Sequence, residues 1–380
     1  MKTILSAEDQ RWLEETYEKL QTKLSAECDR IGSAIPYIPE NKGKYVDVEA
    51  TRYGLDWWTN GFWPGMLWQM YHATGEEKYR RAAEGVEEKF DKALENYMGL
   101  HHDVGFMWLH TAVADYRLTG NERSKTRGLH AANLLAGRYN PAGRFIRAWN
   151  MDRTGWIIVD CMMNIPLLYW ASDESKDPRF RFIAESHADT CRRITVRGDG
   201  SCNHISILNP ENGECVDNPA GQGFASGSSW SRGQAWAVYG FALSYLHTGK
   251  EEYLETAKAV AHYFISNLAV NGWLPLCDFR SPKEPVVYDT TAGVCAACGM
   301  LEIAKAVSEY ERPLYVNAAM KVLRAIDEKF CNWDPEADSI VSHGTTAYHS
   351  EEGRHVPIIY GDYFFTEAVL RLLGKDFLIW

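Results

Sequence analysis

With 380 residues, 46% hydrophobic and 24% charged, the chain has the balance of a globular protein with a sizeable core, built as two domains or as one large repeat unit. A formal net charge of −11 argues against nucleic acid and against anionic membranes as partners, and no apolar run approaches a membrane span. Any anionic ligand must therefore be captured by local basic groups. The 14 Trp and 20 Tyr suit the binding of sugar or aromatic rings.

The start, Met1 to Tyr17, is charged and helical in pattern and lacks the apolar core of a signal peptide. From there one pattern recurs. A glycine or small residue leads into an apolar helix, a short turn follows, and a charged amphipathic helix comes next. The apolar segments are 61–72, 105–116, 161–170, 233–246, 292–307 and 361–373. The amphipathic ones fall near 6–32, 76–97, 121–138, 178–196, 251–268 and 313–331, with apolar spacing such as Tyr253, Ala257, Val260, Ala261 and Phe264. Apolar helices belong inside and amphipathic ones outside. Six pairs closing on themselves predict an all-α, (α/α)6 barrel; an open superhelix is the alternative. No linker interrupts the chain, so residues 1–380 read as a single barrel domain. Residues 198–229 form one long loop, and short strands are expected there and around 272–288.

Turns after the inner helices are short, whereas the loops leading into them are long and rich in Trp, His, Asp and Gly. That asymmetry puts function at the N-terminal end of the inner helices, where anions are favoured. The densest stretch there is Trp230-Ser231-Arg232-Gly233-Gln234-Ala235-Trp236. Arg232 offers a planar fork for a carboxylate, and Trp236 a face for a sugar ring. Both also fit a plain helix start.

Asp103 and Asp160 each stand just before an inner helix, where either fits an N-cap as well as a catalytic carboxylate. Asp160 also follows the apolar run Ile157-Ile158-Val159. A helix N-terminus lowers a carboxyl pKa; apolar neighbours such as Trp149 or Trp156, or a second carboxylate, raise it, as a general acid requires. His204 and Gln222 lie in the long loop, where a histidine is more often a surface residue. His343, His349 and His355 read as rim or surface residues. His101, His102 and Asp103 hint at a metal, but adjacent histidines are expected to diverge and no further ligand set is visible, so no metal or other cofactor is expected. The nine cysteines are odd in number and scattered through apolar stretches, which fits a reducing, cytoplasmic setting. Cys295 and Cys298 read as core.

Several segments together resemble the unsaturated glucuronyl hydrolases, glycoside hydrolase family 88. They are Trp58-Thr59-Asn60-Gly61-Phe62-Trp63-Pro64-Gly65, His102-Asp103-Val104-Gly105-Phe106, Asp160-Cys161-Met162-Met163-Asn164, Ser231-Arg232-Gly233-Gln234-Ala235-Trp236, and His343-Gly344 through Ser350 followed by Gly361-Asp362-Tyr363-Phe364. The resemblance implies an (α/α)6 barrel acting on an oligosaccharide with a 4,5-unsaturated uronic acid at its non-reducing end. It implies Asp160 as general acid/base, Asp103 as the second essential carboxylate, and hydration of the C4=C5 vinyl ether. It implies substrate binding by His204, Gln222, Arg232, Trp236, Trp149 and one of Trp57, Trp58 and Trp63, with Trp58 chosen here. Ser350 is the remnant of a Ser-x-x-Ser-x-Lys pattern; Glu352 stands where the Lys would be, which disfavours a sulfated substrate. A monomer or homodimer is expected. The alternatives are an unsaturated rhamnogalacturonyl hydrolase, a sugar 2-epimerase on the same barrel, and a non-catalytic carbohydrate-binding protein.

Overall fold

The structure is a computed structural model and describes residues 4–39 and 43–380. The predicted helical start at Met1 is therefore seen from Ala7; residues 1–3 lie outside the described residues. Helix α1 (Ala7–Ile31) opens with a capping box in which Ser6 accepts from Asp9 N and Asp9 accepts from Ser6 N. Its C-terminus stops at Gly32.

Six hairpin layers follow the predicted order. Inner helix α2 (Phe62–Thr74) turns at Gly75 into α3 (Glu77–Lys89), which a short α4 (Asp91–Glu95) extends. The second inner rod runs as α5 (Val104–Trp108), a π-helical segment Leu109–Val113 and α6 (Ala114–Thr119). Outer α7 (Glu122–Ala136) follows it. The third begins as a 3-10 turn, Val159–Met163, and continues as α8 (Pro166–Ser175), backed by α9 (Pro178–Ile194). The rest are α10 (Ser231–Thr248) with α11 (Glu251–Ala269), α12 (Thr290–Ala306) with α13 (Arg312–Phe330), and inner α14 (Ile359–Leu373). Inner helices pack in sequence, and α14 packs on α2 while α1 packs on α14. The ring is closed, which decides for the barrel over the open superhelix. All but the ends of α12 and α14 are buried, as helices apolar on every side require.

Close packing of the inner ring needs glycine at the crossings. A Cβ on Gly105 would fall 2.4 Å from Asn164 Cα, and one on Gly240 would fall 2.5 Å from Met162 Cβ. At the short-turn end a buried polar cluster fills the barrel. Arg371 pairs with Glu302 and Glu367, Tyr239 donates to Glu367 (2.5 Å), and Trp380 Nε1 donates to Glu367 (3.0 Å). Cys295 and Cys298 lie buried in α12, as expected. Among the described residues no helix is long and apolar enough to cross a membrane.

Strands are few. The expected strands in the long loop are β4 (Ile205–Leu208) and β5 (Cys215–Asp217), but around 272–288 only isolated bridges form. Sequence reading missed the hairpin β1 (Tyr139–Asn140) with β2 (Phe145–Ile146), and β3 (Trp156–Ile158), which joins β4 and β5 in one antiparallel sheet.

Candidate active site

Asp160 lies in the 3-10 turn directly after β3. The β3–β4 register pairs Ile158 with Ile205, and Val159 N donates to His204 O (3.0 Å), so the sheet itself brings His204 beside Asp160. His204 Nε2 lies 3.6 Å from Asp160 Oδ1, and neither atom has a hydrogen-bond partner although both are buried. The Gln222 backbone N–H donates to His204 Nδ1 at 3.0 Å. This contact is shorter than the 3.3 Å approach of Nδ1 to the Ala220 carbonyl and favours Nδ1 as acceptor, with the ring proton on Nε2 facing the carboxylate. His204 is only 6% exposed, which corrects the expectation of a surface histidine. Its ring packs on Trp230, with centroids 4.0 Å apart.

Asp103 precedes α5 but makes no capping hydrogen bond, so the N-cap reading fails for it. Its Oδ2 lies 3.1 Å from His101 Nδ1 and 3.3 Å from His102 Nε2. The adjacent histidines converge rather than diverge: their rings are stacked 5.5 Å apart. Their nitrogens and the Asp103 oxygen lie within 4.8 Å of one another, a spacing that a cation could use. The geometry serves the carboxylate equally well without one. Burial pushes the Asp103 carboxyl up, but His102, His101 and Asn164 more than offset it and hold it below the ordinary carboxylate range. Burial in turn pushes His102 down to about 3, so its ring is neutral and the contact is not an ion pair.

Asn164 links the two carboxylate turns. Its amide donates to Asp103 Oδ1 (3.3 Å) and to the Asp160 carbonyl (3.2 Å), and its oxygen accepts from Phe106 N (2.7 Å). Sequence reading quoted Asn164 within a motif without giving it a role; its position four residues after Asp160, at the start of an inner helix, was the available signal.

Arg232 departs from expectation. It is 1% exposed and pairs with Asp289 at 2.5 Å, and it also donates to the Thr345 and Thr346 carbonyls (2.7 and 2.9 Å). Its two terminal nitrogens are thus engaged within the protein, while Nε lacks a partner. Gln222 is half-buried and donates to the same Thr346 carbonyl (2.5 Å). Both side chains thus tie the final loop down beside the site. Gln234 anchors the loop before His204, accepting from Cys202 N (2.9 Å) and donating to Gly200 O (2.6 Å). Asp289, which no sequence pattern marked, is the counter-ion that makes a buried Arg232 tolerable.

Trp236 is fully buried, packs on Phe106 (5.2 Å) and Phe364 (5.6 Å), and leaves Nε1 without a partner. It forms the floor rather than an open stacking face. Trp58 is half-buried against Phe106 and Tyr360 (5.5 and 5.1 Å), whereas Trp63 is fully buried and donates to Gly32 O. Trp149 is half-buried, sits edge-on to His102 at 6.2 Å, and with Trp156 flanks Arg153. Ser350 is not drawn into this cluster; its hydroxyl accepts from Gly353 N (3.2 Å) within its own turn. His343 and His355 pack against each other (5.1 Å), and His349 is exposed.

A closed ring of inner helices, with two buried carboxylates at the end where long loops gather, defines an (α/α)6 barrel with a candidate acid–base site. Comparison with known proteins agrees. Residues 34–270 match Glycosyl Hydrolase Family 88. An unsaturated glucuronyl hydrolase from Bacillus sp. (strain GL1) is 37% identical over 354 residues, covering 90% of this chain and 92% of that one. An unsaturated chondroitin disaccharide hydrolase from Streptococcus pyogenes serotype M1 is 31% identical, covering 83% of this chain and 80% of that one. The crystal structure of an unsaturated glucuronyl hydrolase from Streptococcus agalactiae superposes with a TM-score of 0.90 at 29% identity, covering 99% of this chain and 94% of that one. The chain belongs to glycosyl hydrolase family 88.

Proposed function

We propose that this chain hydrolyses lyase-generated oligosaccharides by releasing the 4,5-unsaturated uronic acid at their non-reducing end. The observation that carries the reading is the buried, unpartnered Asp160 oxygen facing the His204 N–H, next to a second carboxylate held ionised. Asp160 donates a proton to C4 of the vinyl ether. Positive charge then develops at C5 and the ring oxygen, and ionised Asp103 stabilises it in a poorly hydrated site. Asp160, now a carboxylate beside His204, takes a proton from the water that adds at C5. The resulting hemiketal opens and the rest of the sugar chain leaves. No step attacks the anomeric carbon, so the carboxylate separation carries no retaining or inverting meaning.

Trp58 and Trp149 are the sugar-facing aromatics in this reading, over a floor made by Trp236. Arg232 and Gln222 act by holding the final loop at Thr346. The substrate class is a glycosaminoglycan-type disaccharide, in keeping with what the streptococcal relative is named for. Glu352 is exposed at this loop, and its negative charge favours an unsulfated sugar there. The test is ultraviolet absorbance of the conjugated enoate. Loss of signal on an unsaturated hyaluronan or chondroitin disaccharide supports the reading. Loss only on an unsaturated rhamnogalacturonan fragment would move the substrate to pectin, and no loss on either would refute the hydrolase.

A further inference from the structure

A cavity of about 1000 Å³ opens on the flank of the barrel beside β1 and β2. Tyr97, His101, Arg138, Arg147 and Asn150 line it, and Glu211 is the one carboxylate among its lining residues. A separate, smaller cavity of about 380 Å³ is lined by Arg144, from the turn of the same hairpin, and by Asp189, Thr190, Arg192 and Arg193 of α9. Five guanidiniums therefore line these two cavities of a chain whose net charge is −11. None of the five forms an ion pair among the described residues.

Arg138 and Arg147 are held side by side. Arg147 N donates to Arg138 O (3.1 Å), and Arg138 Nε donates to Arg147 O (3.0 Å). The remaining Arg138 donors go to Asn150 and to the Ala148 carbonyl, all neutral acceptors. Arg147 is half-buried and its guanidinium has no partner among the described residues. Burial, and after it the neighbouring Arg147 charge, push Arg138 down to about 10, with Asp103 acting the other way. Tyr97, 54% exposed, offers an aromatic face at the rim. Of the carboxylates and indoles placed in the catalytic cluster, none lines this cavity; only His101 is shared.

We propose that this flank is a second, non-catalytic binding site for an acidic oligosaccharide, with a carboxylate group on Arg147 and a sugar ring on Tyr97. A guanidinium without a partner is the group best suited to a carboxylate, and the cavity accommodates more than one sugar ring. The site is additional to the catalytic one; only the choice of saccharide rests on the activity proposed above.

The test is calorimetric titration of the full chain carrying Asp160→Asn with a saturated hyaluronan tetrasaccharide, which has no double bond to react. Adding Arg147→Ala should weaken binding about tenfold, Arg147→Lys should recover part of it, and added salt should weaken the unmodified site. Arg147→Ala alone should leave turnover of an unsaturated disaccharide within about twofold of the parent enzyme. Affinity unchanged by Arg147→Ala, absence of binding, or equal binding of neutral maltotetraose would overturn the proposal. A parallel loss of kcat/KM would overturn it too, by making the cavity part of the catalytic cleft. Arg147-dependent binding by a chain that turns over no unsaturated sugar would leave this site standing and remove the catalytic reading.

Discussion

His204 Nε2 faces Asp160 Oδ1 at 3.6 Å, and the pairing of β3 with β4 sets that distance. Far apart in sequence, the two residues become neighbours because Ile158 lies opposite Ile205. The imidazole N–H is aimed at the oxygen that must lose and regain a proton. His204→Ala should lower kcat about a hundredfold, in the range of one positioned acid–base group, with a smaller change in KM. Steady-state kinetics on the unsaturated disaccharide checks this. A change confined to KM would make His204 a binding residue only.

Asn164 should matter to stability and rate together. It is fully buried and bonds both carboxylate turns and the Phe106 amide. Asn164→Ala leaves buried groups unsatisfied and should cost about 2–3 kcal/mol in urea unfolding. It also removes a donor to Asp103, so that carboxyl should rise and the acidic limb of the rate profile should shift to higher pH.

Asp289→Ala strands the Arg232 charge in the interior. Both partners are at most 1% exposed in their side chains, so the loss should be about 3–5 kcal/mol by denaturant midpoint. Asp289→Leu combined with Arg232→Met should recover much of that stability but not the activity, because Thr345 and Thr346 lose their tether. Arg232→Lys should not substitute, since one ammonium cannot span Asp289 and two carbonyls in the guanidinium's planar arrangement.

The architecture was legible in the sequence because its signal is periodic. Apolar helices with glycine or small-residue entries, each followed by an amphipathic partner, predicted most inner and outer helices closely, whereas the third inner helix runs Pro166–Ser175 against an expected 161–170 and the expected 76–97 helix is divided into Glu77–Lys89 and Asp91–Glu95. Glu251–Ala269 was expected near 251–268, and Pro178–Ile194 near 178–196. The π segment Leu109–Val113 and the two-residue strands were not legible, since they arise from tertiary pairing rather than local preference. Asp103 and Asp160 were visible by position. What surrounds them was not: the convergence of His101 and His102 on Asp103 depends on a loop turn, and the engagement of Arg232 depends on Asp289, fifty-seven residues further along.

Acid should destabilise the fold before the carboxylates titrate. Burial pushes His102, His110 and His187 each down to about 3, while an unfolded chain binds protons at these rings near the ordinary histidine value of about 6.5. Their contribution is complete above that value. It falls as pH drops from there toward about 3, by up to about 1.4 kcal/mol per pH unit for each ring. Tm should therefore decline between about pH 6.5 and pH 5. A His187→Gln variant, if folded, should show a shallower slope. A flat Tm over that window would contradict neutral burial of these histidines.

The central claim is that chemistry occurs at the C4=C5 bond with Asp160 delivering the proton. It is tested most directly by running the reaction in D2O and reading the released uronic-acid product by NMR. The account predicts one carbon-bound deuterium at C4, loss of the enoate absorbance at the same rate, and neither event in Asp160→Asn. Release of the sugar with the double bond intact and no deuterium at C4 would place the attack at the anomeric carbon and contradict the account.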